Sequence, residues 1–136
     1  MQEHNIFAIL VAAVIAFMLG GLWYSPLLFA KQWIAAHGFT DGQVAALKTG
    51  APKAYGISFV AMIVMASVLS IVLNHLGAHD WRSGALWAAH IWLGFAATIG
   101  LMANLYSGKK FAVFLIDTGY QLLYLVVMGA ILGSWH

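Results

Sequence analysis

Four long apolar runs dominate the chain of 136 residues and limit the folds that it can adopt. They span residues 5–29, 55–76, 83–106 and 111–133. Each run is close to the length of about 20 residues that a helix needs to cross a hydrocarbon core about 30 Å thick. Because lipid offers no partner to backbone amides, segments that cross it must be helical. The runs therefore predict an all-α integral membrane protein, in which one domain over residues 1–136 forms an antiparallel four-helix bundle.

The composition excludes several classes of protein. Hydrophobic residues make up 63% of the chain and charged residues only 7%, which are not the proportions of a soluble domain. Six Lys and Arg against four Asp and Glu give a net charge of +2, too small and too scattered for a nucleic-acid interface. The chain has no Cys, which excludes disulfides and thiolate chemistry. We expect the lipid bilayer as a partner and no nucleic acid.

The connections between the runs set their direction. The second and third connections, residues 77–82 and 107–110, are short and make consecutive runs antiparallel. The first and third connections carry Lys31, Lys48, Lys53, Lys109 and Lys110, whereas the second carries only Arg82. Since positive residues concentrate in cytoplasmic loops, we expect both termini outside the cytoplasm, in a bacterial inner membrane.

The first connection, residues 30–54, is long enough to hold structure of its own. In it, Thr40 followed three residues later by Gln43 resembles a capping box, which marks the start of a helix. We expect a short amphipathic helix there, lying on the membrane surface and broken by Gly50 and Pro52.

Aromatic residues lie near the ends of the runs, as in the interfacial belts of membrane proteins. They are Trp23, Tyr24, Trp33, Tyr55, Trp81, Tyr106 and Trp135. We expect most of them to anchor helix ends at the membrane surface. Pro26 disfavours helix at the preceding residue and predicts a helix end at Tyr24 or Ser25. That end is either a binding notch or a terminus that leads into the surface segment.

The run from Gly21 to Trp33, GLWYSPLLFAKQW, resembles the signature of a known protein family. This is a bacterial and fungal family of small integral membrane proteins classed as a domain of unknown function. The most specific residues are Trp23, Tyr24, Ser25, Pro26, Phe29 and Trp33. Asp117 and Tyr120 also resemble the family's pattern, and the resemblance covers nearly the whole chain. It implies four membrane helices and supplies no activity, substrate or catalytic residue.

Asp117 interrupts the fourth run, where a carboxylate costs about 2.5–3.5 kcal/mol at the centre of a span. With Tyr120, Gln121 and Tyr124 it forms a stripe on one helix face, at spacings i, i+3, i+4 and i+7. The stripe could line a path for a solute or proton, or form a buried hydrogen-bond network that fixes helix packing. The tight third connection brings Asp117 opposite Thr98, a candidate hydrogen-bond partner.

His90 interrupts the third run. Folding of the chain at the second connection brings it opposite Ser70, which forms a polar stripe with Ser67 and Asn74 in the second run. We therefore expect a hydrogen-bonded histidine in the bundle core, with a proton relay or a ligand site as the alternative. If Asp117 and His90 line one cavity, they could form two stations of a path across the membrane.

Small residues in the apolar runs allow helices to approach closely, because lipid-embedded helices associate through packing and interhelical hydrogen bonds. Gly94 and Gly100 in the third run are such positions, as are Ala66 and Ser70 in the second. We expect close helix contacts at these four residues.

Histidines gather on the predicted outer side, namely His4, His75, His79 and His136. The i, i+4 spacing of His75 and His79 can present two imidazoles to one metal ion on a helix. Gly77 lies between them, however, where the helix is expected to end, and no third ligand is apparent. They are weak candidates, and we expect no metal site and no cofactor.

Catalytic motifs are missing: the chain has no HExxH, no GxSxG, no phosphate-binding loop and no clustered carboxylates. We expect no enzyme activity. One remaining function is a small membrane-embedded binding or accessory protein, with a homo-oligomer as a candidate assembly. The alternative is a small-solute or proton permease with a polar path lined by Asp117, Tyr120, Gln121 and His90.

Overall fold

The computed structural model describes residues 5–135, which form helices and no strand. The elements are α1 (Ile6–Trp23), α2 (Ala30–His37), α3 (Asp41–His75), α4 (Trp81–Ile91), a π-helical segment (Trp92–Ala97), α5 (Thr98–Ser107) and α6 (Phe111–Ser134). Helices α1, α3 and α6, and the continuous run from α4 to α5, are each long and apolar enough to cross a membrane. The predicted all-α four-helix architecture is confirmed.

Helix α6 is the centre of the bundle. It contacts α1, α3 and α4, and its contact with α4 is the most extensive in the molecule. The face of α1 that enters the core consists largely of alanines, namely Ala8, Ala12, Ala13 and Ala16. Across from them, α6 and α3 bury larger side chains, including Met128 and Leu73. Small residues on one helix therefore let the larger residues of its neighbours fill the core.

The contact between α4 and α6 is made by glycines at backbone distance. A Cβ atom on Gly84 would overlap the carbonyl group of Gly129, and one on Gly133 would overlap that of Asp80. Gly129 and Gly133 form a G-x-x-x-G pair that faces Gly84 and Ala88, a small-residue pair of the same spacing. Any larger side chain at these glycines would push the two helices apart.

The close approach predicted at Gly94 is wrong. A Cβ atom there would have no neighbour within 4 Å, and one on Gly100 would only touch the ring of Phe114 at 3.4 Å. The reason is the position of the third crossing helix, of which only 6% of the apolar window is buried. On α3, by contrast, Ala66 and Ser70 are buried as expected.

The first crossing helix ends at Trp23, just before Tyr24, the end that Pro26 predicts. A tight turn follows, and α2 then runs to Gly38, which ends the helix with a left-handed φ of 70°. After that turn, Thr40 and Gln43 form the predicted reciprocal capping box at the start of α3.

The prediction that Gly50 and Pro52 break the helix after Thr40 is wrong. Helix α3 continues through both residues for 35 residues, and the short helix between the first two crossings is α2 instead. Pro52 removes one helical hydrogen bond, but it is exposed, so water can solvate the freed carbonyl outside the apolar section. At about 1.5 Å per residue, α3 is longer than a hydrocarbon core of about 30 Å. Its first part, with Lys48 and Lys53, extends past the apolar section.

Candidate functional site

Asp117 lies about two helical turns inside α6. The hydroxyl of Tyr24 donates to its Oδ1 atom at 2.6 Å, and the indole Nε1–H of Trp33 donates to the same oxygen at 3.0 Å. Burial raises the pKa of Tyr24 well above its usual range, and the hydrogen bond and charge of Asp117 raise it further. The phenol is therefore a permanent donor, and two neutral groups hold the carboxylate in place.

The turn after α1 explains why these donors meet. The Trp23 indole donates to the carbonyl of Ile116 at 3.0 Å, which ties the end of α1 to α6 beside Asp117. The Ser25 hydroxyl donates to the carbonyl three residues earlier at 2.6 Å. Phe29 packs on Trp23, with ring centroids 4.6 Å apart. The chain thereby reverses and brings α2 back toward α6.

The interpretation of the aromatic residues as surface anchors is wrong for Trp23, Tyr24 and Trp33. Their polar atoms donate to groups of α6, because the turn directs them into the bundle. These residues and Asp117 all belong to the family resemblance, but the resemblance does not indicate that they form hydrogen bonds with one another. Exposed residues remain available as anchors at the other helix ends, namely Trp81, Tyr106 and Trp135, whereas Tyr55 is exposed inside α3.

The predicted stripe on α6 divides between several neighbours. The Tyr120 hydroxyl donates to the carbonyl of Ala16 on α1 at 2.7 Å, and the Tyr124 hydroxyl lies 3.5 Å from the sulfur of Met65 on α3. Gln121 faces a different cavity, on the side of α5. Part of the stripe thus fixes helix packing, whereas Asp117 and Gln121 border open space.

A cavity of about 670 Å³ lies between the end of α1, α2, α3 and α6. Its volume falls in the range of about 300–1,000 Å³ that is typical of small-molecule sites. The side chains in its wall that carry a polar group are Tyr24, Trp33, Lys48, Tyr55, Ser58, Asp117 and Tyr120. The rest of the wall is largely apolar, with Phe17, Ile34, Leu47 and Met62 among its residues. This mixture resembles a ligand site, in which few polar groups orient an apolar molecule.

A second cavity of about 290 Å³ lies against α5 and is more polar. Its polar wall residues are Asn104, Ser107, Lys109, Asp117, Thr118 and Gln121. Thr118 is buried and its hydroxyl has no hydrogen-bond partner in the described part of the chain, while its carbonyl accepts from the Trp92 indole at 2.9 Å. Asp117 therefore borders both cavities.

The prediction that Thr98 is a hydrogen-bond partner of Asp117 is wrong. It is exposed, and its hydroxyl donates to the carbonyls of Gly94 and Phe95 in its own helix, at 2.9 and 3.1 Å. The carboxylate instead takes its donors from the turn after α1 and from α2. The helix hairpin predicts the level of a neighbour but not the direction of a side chain.

His90 is exposed, so the prediction of a core histidine opposite Ser70 is wrong. Its Nδ1 atom lies 2.8 Å from the carbonyl of Leu86 in the same helix, a contact in which Nδ1–H donates. His90 lines neither cavity, so the structure does not join it to Asp117. On α3, Ser70 is buried, and Asn74 is half-buried and has an interaction of its own.

His37 lies four residues after the run that resembles the family signature and belongs to the same resemblance, but no site role was predicted for it. Its ring stacks on Phe39 at 4.5 Å and meets the edge of Trp33 at 4.3 Å, and its Nε2 atom is buried with no hydrogen-bond partner among residues 5–135. Burial lowers the pKa of His37, and the charge of Lys109 lowers it further, while Asp117 opposes this shift. Its place directly after the signature run, between Trp33 and Phe39, is the local signal that could have marked it.

The two candidate metal ligands do not lie on one helix. His75 is the last residue of α3, and His79 follows the turn at Gly77, where φ is 69°. The i, i+4 geometry of a helix therefore does not extend over both residues. Residues 5–135 contain no group of three His, Cys, Asp or Glu side chains that could hold a metal ion. His4 and His136 lie outside the described residues.

Comparison with known proteins identifies a family to which the chain is similar. A family model described as a protein of unknown function (DUF1761) matches residues 7–133. The matched region contains both the turn after α1 and Asp117. No curated protein matches the chain, and no solved structure matches it.

Proposed function

The chain belongs to the DUF1761 family of proteins of unknown function, and we propose that it is a small non-catalytic membrane protein that binds a ligand in the larger cavity. The observation that carries this proposal is the placement of Asp117 in the wall of a mostly apolar cavity. An ionisable side chain inside a membrane helix is expensive and usually marks a functional site.

The alternative role of Asp117 is packing alone. The Oδ1 atom does serve packing, since it joins α6 to Tyr24 and to Trp33 of α2. An amide oxygen would accept the same two hydrogen bonds without a charge. The presence of a carboxylate where an amide would suffice, next to open space, favours binding.

Native mass spectrometry of the protein released from a mild membrane mimetic tests the proposal. We expect a defined extra mass on the wild type that is lost from Asp117→Asn. Asp41→Asn is the matched control, because it removes the same charge from an exposed position outside the cavity. If wild type and Asp117→Asn both carry only exchangeable lipid, the result would favour an accessory role through helix contacts.

A second candidate is a small-solute or proton permease. The observation that favours it is that Asp117 borders both cavities, with Tyr120 in the larger and Gln121 in the smaller. Flux into liposomes tests it, with the prediction that Asp117→Asn abolishes transport while the protein remains folded. If wild type transports a solute and Asp117→Asn transports it equally well, the carboxylate has no part in a path.

We also propose an inner-membrane location in a bacterium, with both termini outside the cytoplasm. The distribution of Lys residues supports this orientation. Because the chain has no Cys, a single introduced cysteine can report the orientation, and no other residue of the chain carries a thiol that would be labelled. We expect Ser107→Cys to react with a membrane-impermeant thiol reagent only after cell lysis, and Ser134→Cys to react in intact spheroplasts. The reverse pattern would invert the proposed orientation.

A further inference from the structure

The hydrogen bonding of Asp117 indicates what kind of ligand the carboxylate would attract. Both hydrogen bonds to the carboxylate end on Oδ1. Within residues 5–135 no donor reaches Oδ2, and no Lys, Arg or His forms an ion pair with the carboxylate. Within this part of the chain the carboxylate therefore forms no ion pair, not even with Lys109 in the wall of the smaller cavity, although it is half-buried in a mostly apolar wall where a cation would be attracted.

Aromatic rings surround the same position. The ring of Tyr24 meets Trp33 at a centroid distance of 5.9 Å and Tyr120 at 5.5 Å, in both cases nearly perpendicular. All three residues line the larger cavity together with Asp117. Aromatic faces attract cations within about 6 Å, so the rings and the carboxylate favour the same charge.

The other residues of the cavity wall indicate the chemistry of the rest of the ligand. Phe17, Ile34 and Met62 offer apolar surface, which suits a hydrophobic body. Lys48 lies on the exposed section of α3, ten residues before Ser58, or about 15 Å along the helix. Its charge disfavours a second cationic group at that end and accepts a neutral or anionic one.

From these observations, and resting on the proposed function, we propose that the larger cavity binds apolar molecules that carry a protonated amine. The ammonium group donates to Oδ2 of Asp117 and lies against the rings of Tyr24, Trp33 and Tyr120. A lipid headgroup with an ammonium group and a free hydrophobic amine present the same chemistry to this site.

Two probes of matched shape test the proposal, naphthylethylammonium and its neutral analogue naphthylethanol. Their affinities are measured for the full chain in maltoside micelles, which contain no ammonium group. We expect the ammonium to bind wild type at least about tenfold more tightly than the alcohol, as for a charge-assisted hydrogen bond. Asp117→Asn should lose this preference, and Asp41→Asn should keep it.

Equal affinity of wild type for the two probes overturns the proposal, and so does a preference that survives in Asp117→Asn. The comparison of probes on wild type decides the matter even if Asp117→Asn does not fold. Competition by added phosphatidylethanolamine, but not by phosphatidylglycerol, supports the proposal and identifies a lipid headgroup as the source of the amine. An ammonium preference that neither lipid affects supports it with a free amine.

The failure of this proposal can be separated from the failure of the proposed function. If both probes bind equally and Ala51→Trp, which fills the cavity wall, abolishes both, the cavity binds ligands but does not select an amine. If neither probe binds and wild type retains no ligand in native mass spectrometry, both proposals are overturned.

Discussion

Single side chains around Asp117 connect three parts of the chain that lie far apart in sequence. Its two donors lie 93 and 84 positions away, and both act on one oxygen atom. Hydrogen bonds to charged groups are worth more than those between neutral groups, and their loss leaves a half-buried carboxylate less well solvated. The same three residues therefore contribute to stability and shape the candidate site.

Tyr24→Phe and Trp33→Phe should each lower the free energy of unfolding by about 1–3 kcal/mol, since each removes one donor to the carboxylate. The measurement is unfolding of the purified protein in mixed micelles by a denaturing detergent. The double variant should show coupling, because the donors share Oδ1. Tyr55→Phe is the control, because Tyr55 is 61% exposed. Losses equal to that of the control would show that the two hydrogen bonds do not stabilise the fold.

Acid should destabilise the protein through His37. The folded-state pKa of His37 is lowered from the usual value of 6.5, so the unfolded chain binds the proton more readily. The contribution of His37 is therefore fully present above pH 6.5 and is lost as the pH falls through the lowered folded-state pKa. The difference in unfolding free energy between wild type and His37→Phe, followed against pH, should show this decline. A difference that does not change on acidification would contradict it.

Among the elements, α4 and α6 form the most extensive contact of the bundle, and their backbones touch at glycines. In lipid, where apolar side chains gain little by leaving the solvent, this close packing is a main source of helix association. The second half of the third crossing helix lacks such a contact with α6 and is largely exposed.

Gly129→Leu should destabilise the bundle by about 1–3 kcal/mol or more, the usual range for overpacking, because a Cβ atom alone would already clash with Gly84 and Ala88. Gly56→Leu is the matched control in a crossing helix, because its Cβ position is open. The temperature at which each variant aggregates in micelles is compared with that of wild type. Equal losses in the two variants would indicate that the backbones do not touch at Gly129.

At the scale of the whole molecule, one face of the third crossing helix is not covered by the other described helices. His90 lies there near the middle of the span, exposed beside Trp87, whose ring centroid is 5.7 Å away. Leu86 and Leu93 are also exposed on this helix. A histidine directed toward lipid is unfavourable, and intramembrane polar groups usually face protein. The uncovered face is therefore the surface through which we expect two copies to form a homo-oligomer.

Gly94→Cys tests this assembly, because the chain otherwise contains no Cys. We expect oxidation in membranes to produce a cross-linked dimer through this residue. Gly21→Cys, at an exposed position on α1, is the control and should remain monomeric. His90→Leu should change the yield of the dimer. Cross-linking that is equal at both positions would indicate random collision and no specific interface.

The four crossing helices, the end of α1 and the capping box at Thr40 were predictable, because each depends on local composition or on a few neighbouring residues. Local rules failed at Pro52, where a long helix on both sides outweighed one lost hydrogen bond. They also failed at His90 and Thr98, because hairpin folding gives the level of a residue but not the direction that its side chain takes.

The candidate site depends on tertiary packing as well as on local sequence. The apolar runs and the unusual carboxylate are visible in the chain, since the cost of placing each residue in lipid is a property of that residue. The meeting of Tyr24, Trp33 and Asp117, and the cavity beside them, require α1, α2 and α6 to converge. That convergence is set by how distant helices pack, including the glycine contact of α4 with α6, and packing depends on shape at positions that no local spacing relates.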